Sequence, residues 1–221
     1  MDVMIMTDST DRPTPSGFDH AAWQAAKTQR SNRNDLVSVL GAAVAAAGAV
    51  VVILVLRLLD VFGTDGTRVP VFFDAVDVAL PGAAGAGSVT VDQGSIVVVD
   101  LPVVTFVCVL LAAILPAIAN LVVIVCGFRF FRRLLRGDAF APGNARLLSI
   151  ASIAILCGWI ADTWFGTMAS NGALAVATDG AVEGTPYPLT WVPVLVAMAV
   201  GGLAIAFRAG ERLRADTEGL V

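Results

Sequence analysis

The sequence predicts an all-α membrane protein: four transmembrane helices with a small extracellular β-like cap. Three observations lead to that class. Four apolar runs, at about 36–59, 101–127, 147–168 and 189–208, are each long enough to cross a hydrocarbon core. Apolar residues make up 57% of the chain against 14% charged, where a soluble domain carries about 45–50% and about 25%. The basic residues, finally, gather on one side of the runs.

Residues 1–35 mix Asp, Thr, Ser, Pro, Asn and Arg and lack the apolar core and cleavage site of a signal peptide. They read as a flexible cytoplasmic tail. Within them FDHAAWQAAKTQRSNRND can place Phe18, Ala22, Trp23 and Ala26 on one side of a short surface helix, although its polar composition favours a loose tail. The first run is free of charge from Leu36 to Leu56. Its Gly41, Ala45, Gly48 and Ala49 mark a face where another helix backbone can approach closely. That helix belongs either to this chain or to a second protomer of a homo-oligomer.

The loop 60–100 is too long for a simple connector. Its segments VPVFFDAVDVAL and SVTVDQGSIVVV are rich in Val and Phe, with PGAAGAG as a linker between them and DQGS as a turn inside the second. In the second run Pro102 suits a first helical turn. Pro116, four residues before Asn120, removes one backbone hydrogen bond and predicts a kink. Trp159, Trp164 and Trp191 lie toward one end of the third and fourth runs, where Trp164 and Trp191 fit an interfacial aromatic belt. The loop 169–188 adds a strand or caps the bundle, and 210–221 forms a charged cytoplasmic segment.

Twelve of the 14 Lys and Arg residues fall in the tail, in the 128–146 loop or after residue 207. Only Arg57 and Arg68 fall on the other side, among Asp60, Asp65, Asp74, Asp77, Asp92, Asp100, Asp179 and Glu183. Cytoplasmic loops retain basic residues, so both termini and the 128–146 loop are expected in the cytoplasm of a multi-pass protein of the cell membrane. An even number of spans requires the same.

The net charge of −4 argues against a general polyanion binder. Cys108, Cys126 and Cys157 sit in apolar runs without metal-ligand spacing, and the single His20 lies in the polar tail. No phosphate-binding loop, zinc-hydrolase or serine-hydrolase motif is present. The expectation is therefore a protein that is not an enzyme and has no metal or cofactor site.

Two constellations remain. Asp162 is the one carboxylate inside a predicted span, and an acid at that depth is a functional candidate by default. It either pairs with Arg57 structurally or handles a proton or cation, with Asn120 as a further polar residue along the path. FRFFRRLLRGDAFAPGNARLL, residues 128–148, holds Arg129, Arg132, Arg133, Arg136 and Arg146. It lacks a nucleic-acid recognition fold, so direct nucleic-acid binding is not expected. Phe128, Phe130, Phe131, Leu134 and Leu135 can enter the interface while the arginines meet anionic membrane lipids at about 1 kcal/mol each.

RLLRGDAFAPGNARLLSIA and the ending AFRAGERLRADTEGLV resemble the domain-of-unknown-function family number 2975, small bacterial membrane proteins with four spans. Gly137 and Phe140 match the family's Gly-x-Pro-Phe element, while Ala139 stands where proline is usual. Asn144, Arg146 and Leu147 fall near its second element; Phe207, Gly210, Leu213, Leu220 and Val221 fit its third. The resemblance covers roughly the last ninety residues and carries no activity. It implies a bacterial inner-membrane location and a cytoplasmic helix-turn-helix regulator as partner.

In physical terms Gly137 can end the second helix, Phe140 anchor the turn in the interface, and Gly143 or Asn144 cap the third helix. The resulting expectation is a non-enzymatic binding or regulatory module. Its partner or lipid contacts are Arg129, Arg132, Arg133, Arg136, Phe140 and Arg146. The alternative is a transporter or an accessory subunit of a membrane complex using Asp162, Arg57 and Asn120.

Overall fold

A computed structural model describes residues 20–79, 88–138, 140–182, 184 and 189–218. Its elements are α1 (His20–Val61), β1 (Thr67–Ala79), β2 (Ser88–Val98), α2 (Val103–Leu134), α3 (Asn144–Ala177) and α4 (Val192–Glu218). All four helices contain segments long and apolar enough to cross a membrane, and the two strands form a small sheet.

The first helix is longer than the sequence reading gave it. Its backbone is helical from His20, so the proposed surface helix and the first span are one element. The physical reason is local: from residue 20 to residue 40 there is neither Gly nor Pro, and Ala, Gln, Lys and Arg are good helix formers. Residues 1–19, with Arg12, lie outside the described residues. The helix ends at Val61, where Thr67 Oγ1 donates to the Val61 carbonyl at 3.1 Å and starts the chain into β1.

The strands pair antiparallel, from Thr67 opposite Val98 to Ala79 opposite Ser88, with an irregularity between Phe72 and Val76. DQGS is therefore no turn. Residues 92–95 run inside β2, and Gln93 and Gly94 pair with Phe72 and Val71. β1 is long enough to cover the whole of β2, so a polar tetrapeptide is carried as exposed strand. The PGAAGAG linker lies outside the described residues.

Alternation along β1 turns Val69 and Val71 inward, where both are buried with Val98 of β2. They meet Val61, Cys108, Val109, Ala169, Ala173 and Leu174, so a buried cluster joins hairpin and helices where the hairpin rests on α2 and α3. One hydrogen bond fixes the seat: the Phe72 amide donates to Ser170 Oγ at 3.1 Å, and Ser170 is fully buried.

That seat exists because α3 continues past residue 168. Residues 169–177, read as loop with an optional strand, are helix. The helix stops at Thr178, whose amide and hydroxyl both donate to the Leu174 carbonyl, and Gly180 follows with a left-handed φ of 76°.

Helix packing runs α1–α2–α3–α4, with α2 against α3 the most extensive contact. Small residues set the approach. A Cβ at Gly158 of α3 would lie 2.7 Å from the Ala119 Cβ of α2, and Gly201 of α4 leaves room for Ser152, whose hydroxyl donates to the Ala197 carbonyl at 2.8 Å. Gly41 and Gly48 of α1 have nothing within 4 Å of the equivalent position, so that small-residue face meets no helix of this chain.

Gly158→Val is expected to destabilise the fold by about 1–3 kcal/mol through overpacking, seen as a lower melting temperature in detergent. Gly202→Val, at a site with open space, serves as the control and leaves the melting temperature within error.

Candidate functional site

Two polar constellations stand at opposite ends of the helices, one beneath the hairpin and one at the α2–α3 turn.

Beneath the hairpin, Arg57 of α1 reaches across to α2 and α3. Its Nη1 lies 3.8 Å from Asp162 Oδ1 and donates to the Ala112 carbonyl at 3.4 Å. The second contact follows from Pro116. Within a helix the amide of residue i donates to the carbonyl of residue i−4, and proline has no amide hydrogen. Ala112 is thus the carbonyl that Pro116 leaves without its helical donor, and Arg57 supplies one. In apolar surroundings such a repair from a neighbouring helix is what makes an interior proline tolerable. α2 stays helical through Pro116 from Val103 to Leu134.

Asp162 and Arg57 border two cavities. One, of about 300 Å³, lies under the hairpin and includes Asp60, Arg68, Ser95 and Gly166 in its wall. The other, of about 210 Å³, follows α1 and α2 past Val50, Ile53, Leu54 and Pro116 to Asn120. Asn120 therefore joins the Arg57–Asp162 pair in one polar lining. The α2 part of that lining stops at Asn120, about 21 Å along the axis before the helix ends at Leu134.

Asp60, Arg68 and Ser95 were not singled out from the sequence. The two arginines of the acidic half were a usable signal, but only the hairpin's placement brings Arg68 over Arg57.

At the other end, the chain reverses between α2 and α3 through Gly137 and Gly143, with φ of 83° and 97°. α2 itself ends at Leu134, before Gly137, and the Asp138 amide returns to the Arg133 carbonyl at 3.1 Å. Asn144 is fully buried and organises the turn. Its Nδ2 donates to the Asp138 carbonyl at 3.0 Å, and its Oδ1 accepts from Arg133 Nη1 at 3.2 Å. Arg133 also donates to the Pro142 carbonyl at 3.3 Å. This arginine is spent on holding the turn, unlike Arg129, Arg132, Arg136 and Arg146, which are exposed.

Phe140 does not simply dip into an interface. It packs on Phe207 of α4, ring centroids 5.5 Å apart, and its ring lies where a Cβ at Gly210 would stand. Phe130 of α2 meets the same Phe207 at 5.2 Å, edge to face. Gly143 is the N-cap of α3, as the sequence allowed: its left-handed φ of 97° turns the chain into the helix and its carbonyl accepts the Leu147 amide at 3.1 Å, but it has no side chain to take a first-turn amide. The acceptor comes from α4: Glu211 Oε1 takes the Ala145 amide at 2.9 Å, a carboxylate at a helix N-terminus where the dipole favours it. Sequence reading missed Glu211, although a helix start without Ser, Thr or Asp signals that its first amides need a distant acceptor.

Some of the residues quoted for the resemblance meet in space. Phe140, Phe207 and Gly210 form an aromatic clasp, and Asn144 locks the turn beside it. Leu220 and Val221, like Ala139, lie outside the described residues. Among the described residues no three His, Cys, Asp or Glu side chains converge as a metal site would require.

Arg57→Met removes the donor to Ala112 and strands Asp162, and a lower melting temperature is expected. Adding Asp162→Leu removes the stranded charge and is expected to recover part of that loss; a double variant less stable than the single one contradicts the pairing. Gly210→Leu must displace Phe140, so it should lower the melting temperature and make the 135–143 segment more sensitive to protease. No protein-family profile, curated protein or solved structure matches this chain.

Proposed function

We propose that the chain is a non-enzymatic docking module of the bacterial inner membrane, with both termini and the α2–α3 turn in the cytoplasm. The apolar surface supports insertion. Val44, Val51, Val52, Leu59, Val103, Ile153, Leu195 and Ile205 are all exposed on the outsides of the four helices, far more apolar area than a monomer presents to water. Trp164 and Trp191, 67% and 61% exposed, lie toward the hairpin end, where interfacial rings fit. The basic turn at the opposite end supports the orientation.

One observation carries the docking role: Arg129, Arg132, Arg136 and Arg146 project, exposed, from a segment that Arg133, Asn144, Phe140 and Glu211 hold rigid. Because the backbone that carries these guanidinium groups is already held, binding acidic side chains has to order only the arginine side chains themselves. The partner is an acidic cytoplasmic protein. The family resemblance points to a helix-turn-helix regulator, and anionic lipid headgroups flank the same face.

A second reading rests on the two cavities that share Arg57 and Asp162. It makes the chain a transporter or accessory subunit of a membrane complex. Proton or ion flux in liposomes, lost on Asp162→Asn, would favour it over docking.

Orientation is tested in a cysteine-free background by labelling intact cells with an impermeant maleimide. Asp92→Cys is expected to react in intact cells and Arg136→Cys only after lysis; the opposite pattern refutes the orientation. For docking, Arg129, Arg132 and Arg136 are changed together to Glu, with Arg133 left in place because it holds the turn. Partner recovered with the unaltered chain in mild detergent is expected to fall at least about tenfold, as loss of several charge-assisted contacts implies. Undiminished recovery with normal expression removes this face from consideration.

A further inference from the structure

Arg57 and Arg68 are the only basic residues between Arg33 and Arg129, and they come from different elements, yet both line the cavity under the hairpin. Two acids, Asp60 and Asp162, line it too. Arg57 is engaged with Asp162 and Ala112. Arg68 and Asp60 make no ion pair among the described residues, so one cation and one carboxylate face the same space unspent. The charges of the wall cancel, which suits a ligand that is itself neutral overall but carries both signs.

The remaining wall narrows the class. Val61, Val69, Val109, Ala112, Ala113 and Ala169 give an apolar floor. The adjoining cavity continues along Val50, Ile53 and Leu54 of α1, apolar residues that leave space for a hydrocarbon tail. Among the described residues no aromatic side chain lines the upper cavity, whereas quaternary ammonium groups are held by aromatic cages. The carboxylates instead suit a primary ammonium, which donates hydrogen bonds. At about 300 Å³ the space falls at the lower end of small-molecule sites.

We infer that this cavity binds a zwitterion made of an anionic group and a primary ammonium, the anion on Arg68 and Arg57 and the ammonium on Asp60 and Asp162. The chemistry is that of a phosphatidylethanolamine headgroup or of a soluble phosphodiester such as glycerophosphoethanolamine. Arg57 lies one helical turn before the end of α1, which puts the cavity at headgroup depth. In that respect the inference rests on the membrane placement proposed above.

The full chain in detergent is titrated with short-chain phosphatidylethanolamine, phosphatidylcholine and phosphatidylglycerol, and with free glycerophosphoethanolamine, while its melting temperature is followed. Phosphatidylethanolamine is expected to raise the melting temperature saturably, as a ligand of the folded state must. A matching rise with free glycerophosphoethanolamine identifies a soluble ligand; no rise with it identifies the lipid.

Arg68→Gln should raise the half-saturating concentration about tenfold, the effect of one lost charge-assisted hydrogen bond. Asp60→Asn should abolish the preference for phosphatidylethanolamine over phosphatidylglycerol. Equal shifts with all three lipids, no shift with any, or unchanged affinity in both variants overturn the inference. A chain that labels with the expected orientation and yet shows no such shift sinks the zwitterion site alone, leaving the membrane placement standing.

Discussion

The arrangement at the hairpin end depends on what Arg57 does with one guanidinium. An unpaired charge beside the apolar helices is unfavourable, and an unsatisfied backbone carbonyl costs about 1–3 kcal/mol. Pro116 creates the second problem at Ala112, and Asp162 and Arg57 would each create the first alone. One side chain on α1 answers all three, bonding to α2 at Ala112 and pairing with α3 at Asp162. It thereby ties α1 to both of its inner neighbours at a level where α1 presents mostly apolar side chains. The ion pair is half open, with Arg57 50% and Asp162 33% exposed, which is why a cavity can border it.

The turn end is held by a different kind of economy. Three chain segments far apart in sequence, the end of α2, the turn and the last part of α4, share one aromatic cluster around Phe207. Glu211, one residue beyond Gly210, then caps α3. Because Gly210 has no side chain, Phe140 can lie directly on the helix, and this close approach brings Glu211 within reach of Ala145. The turn is therefore rigid for reasons that involve only one of its arginines. The other four arginines stay outside the network and can be altered without dismantling it.

Much of this was legible in the sequence because bilayer-length apolar runs and charge asymmetry are long-range signals that a single substitution does not blur. The four helices and the two Val-rich strands follow from them. What was not legible depended on contacts between distant segments. Residues 169–177 contain Ala, Gly and Val in an order that no periodicity resolves; they continue α3, and the hairpin rests on them through the Phe72 amide and the buried Ser170. DQGS has turn composition, yet an adjacent strand of matching length keeps it extended. Arg133 looked equivalent to its neighbours, and only the position of Asn144 separates its role from theirs. Glu211 looked like one more charge in a polar ending.

The two ends also differ in how they treat charge. At the turn end, residues 128–146 carry five arginines and one acid, Asp138, and the neighbouring Glu211 is committed to a helix terminus, so the exposed guanidinium groups of the turn outnumber the carboxylates beside them. At the hairpin end, acids outnumber bases, yet both bases border the same half-open cavity and one acid of the lining is already matched to Arg57. Outward charge on a rigid turn suits recognition of a large partner whose own surface supplies the counter-charges. Inward charge in a lined cavity suits a small group that must bring both signs with it, since a lone anion would leave Asp60 uncompensated and a lone cation would leave Arg68 so. The opposite placements of charge therefore suit two different kinds of ligand on one scaffold, the two proposed here, and the helices between them are held by Arg57 at one end and Phe207 at the other.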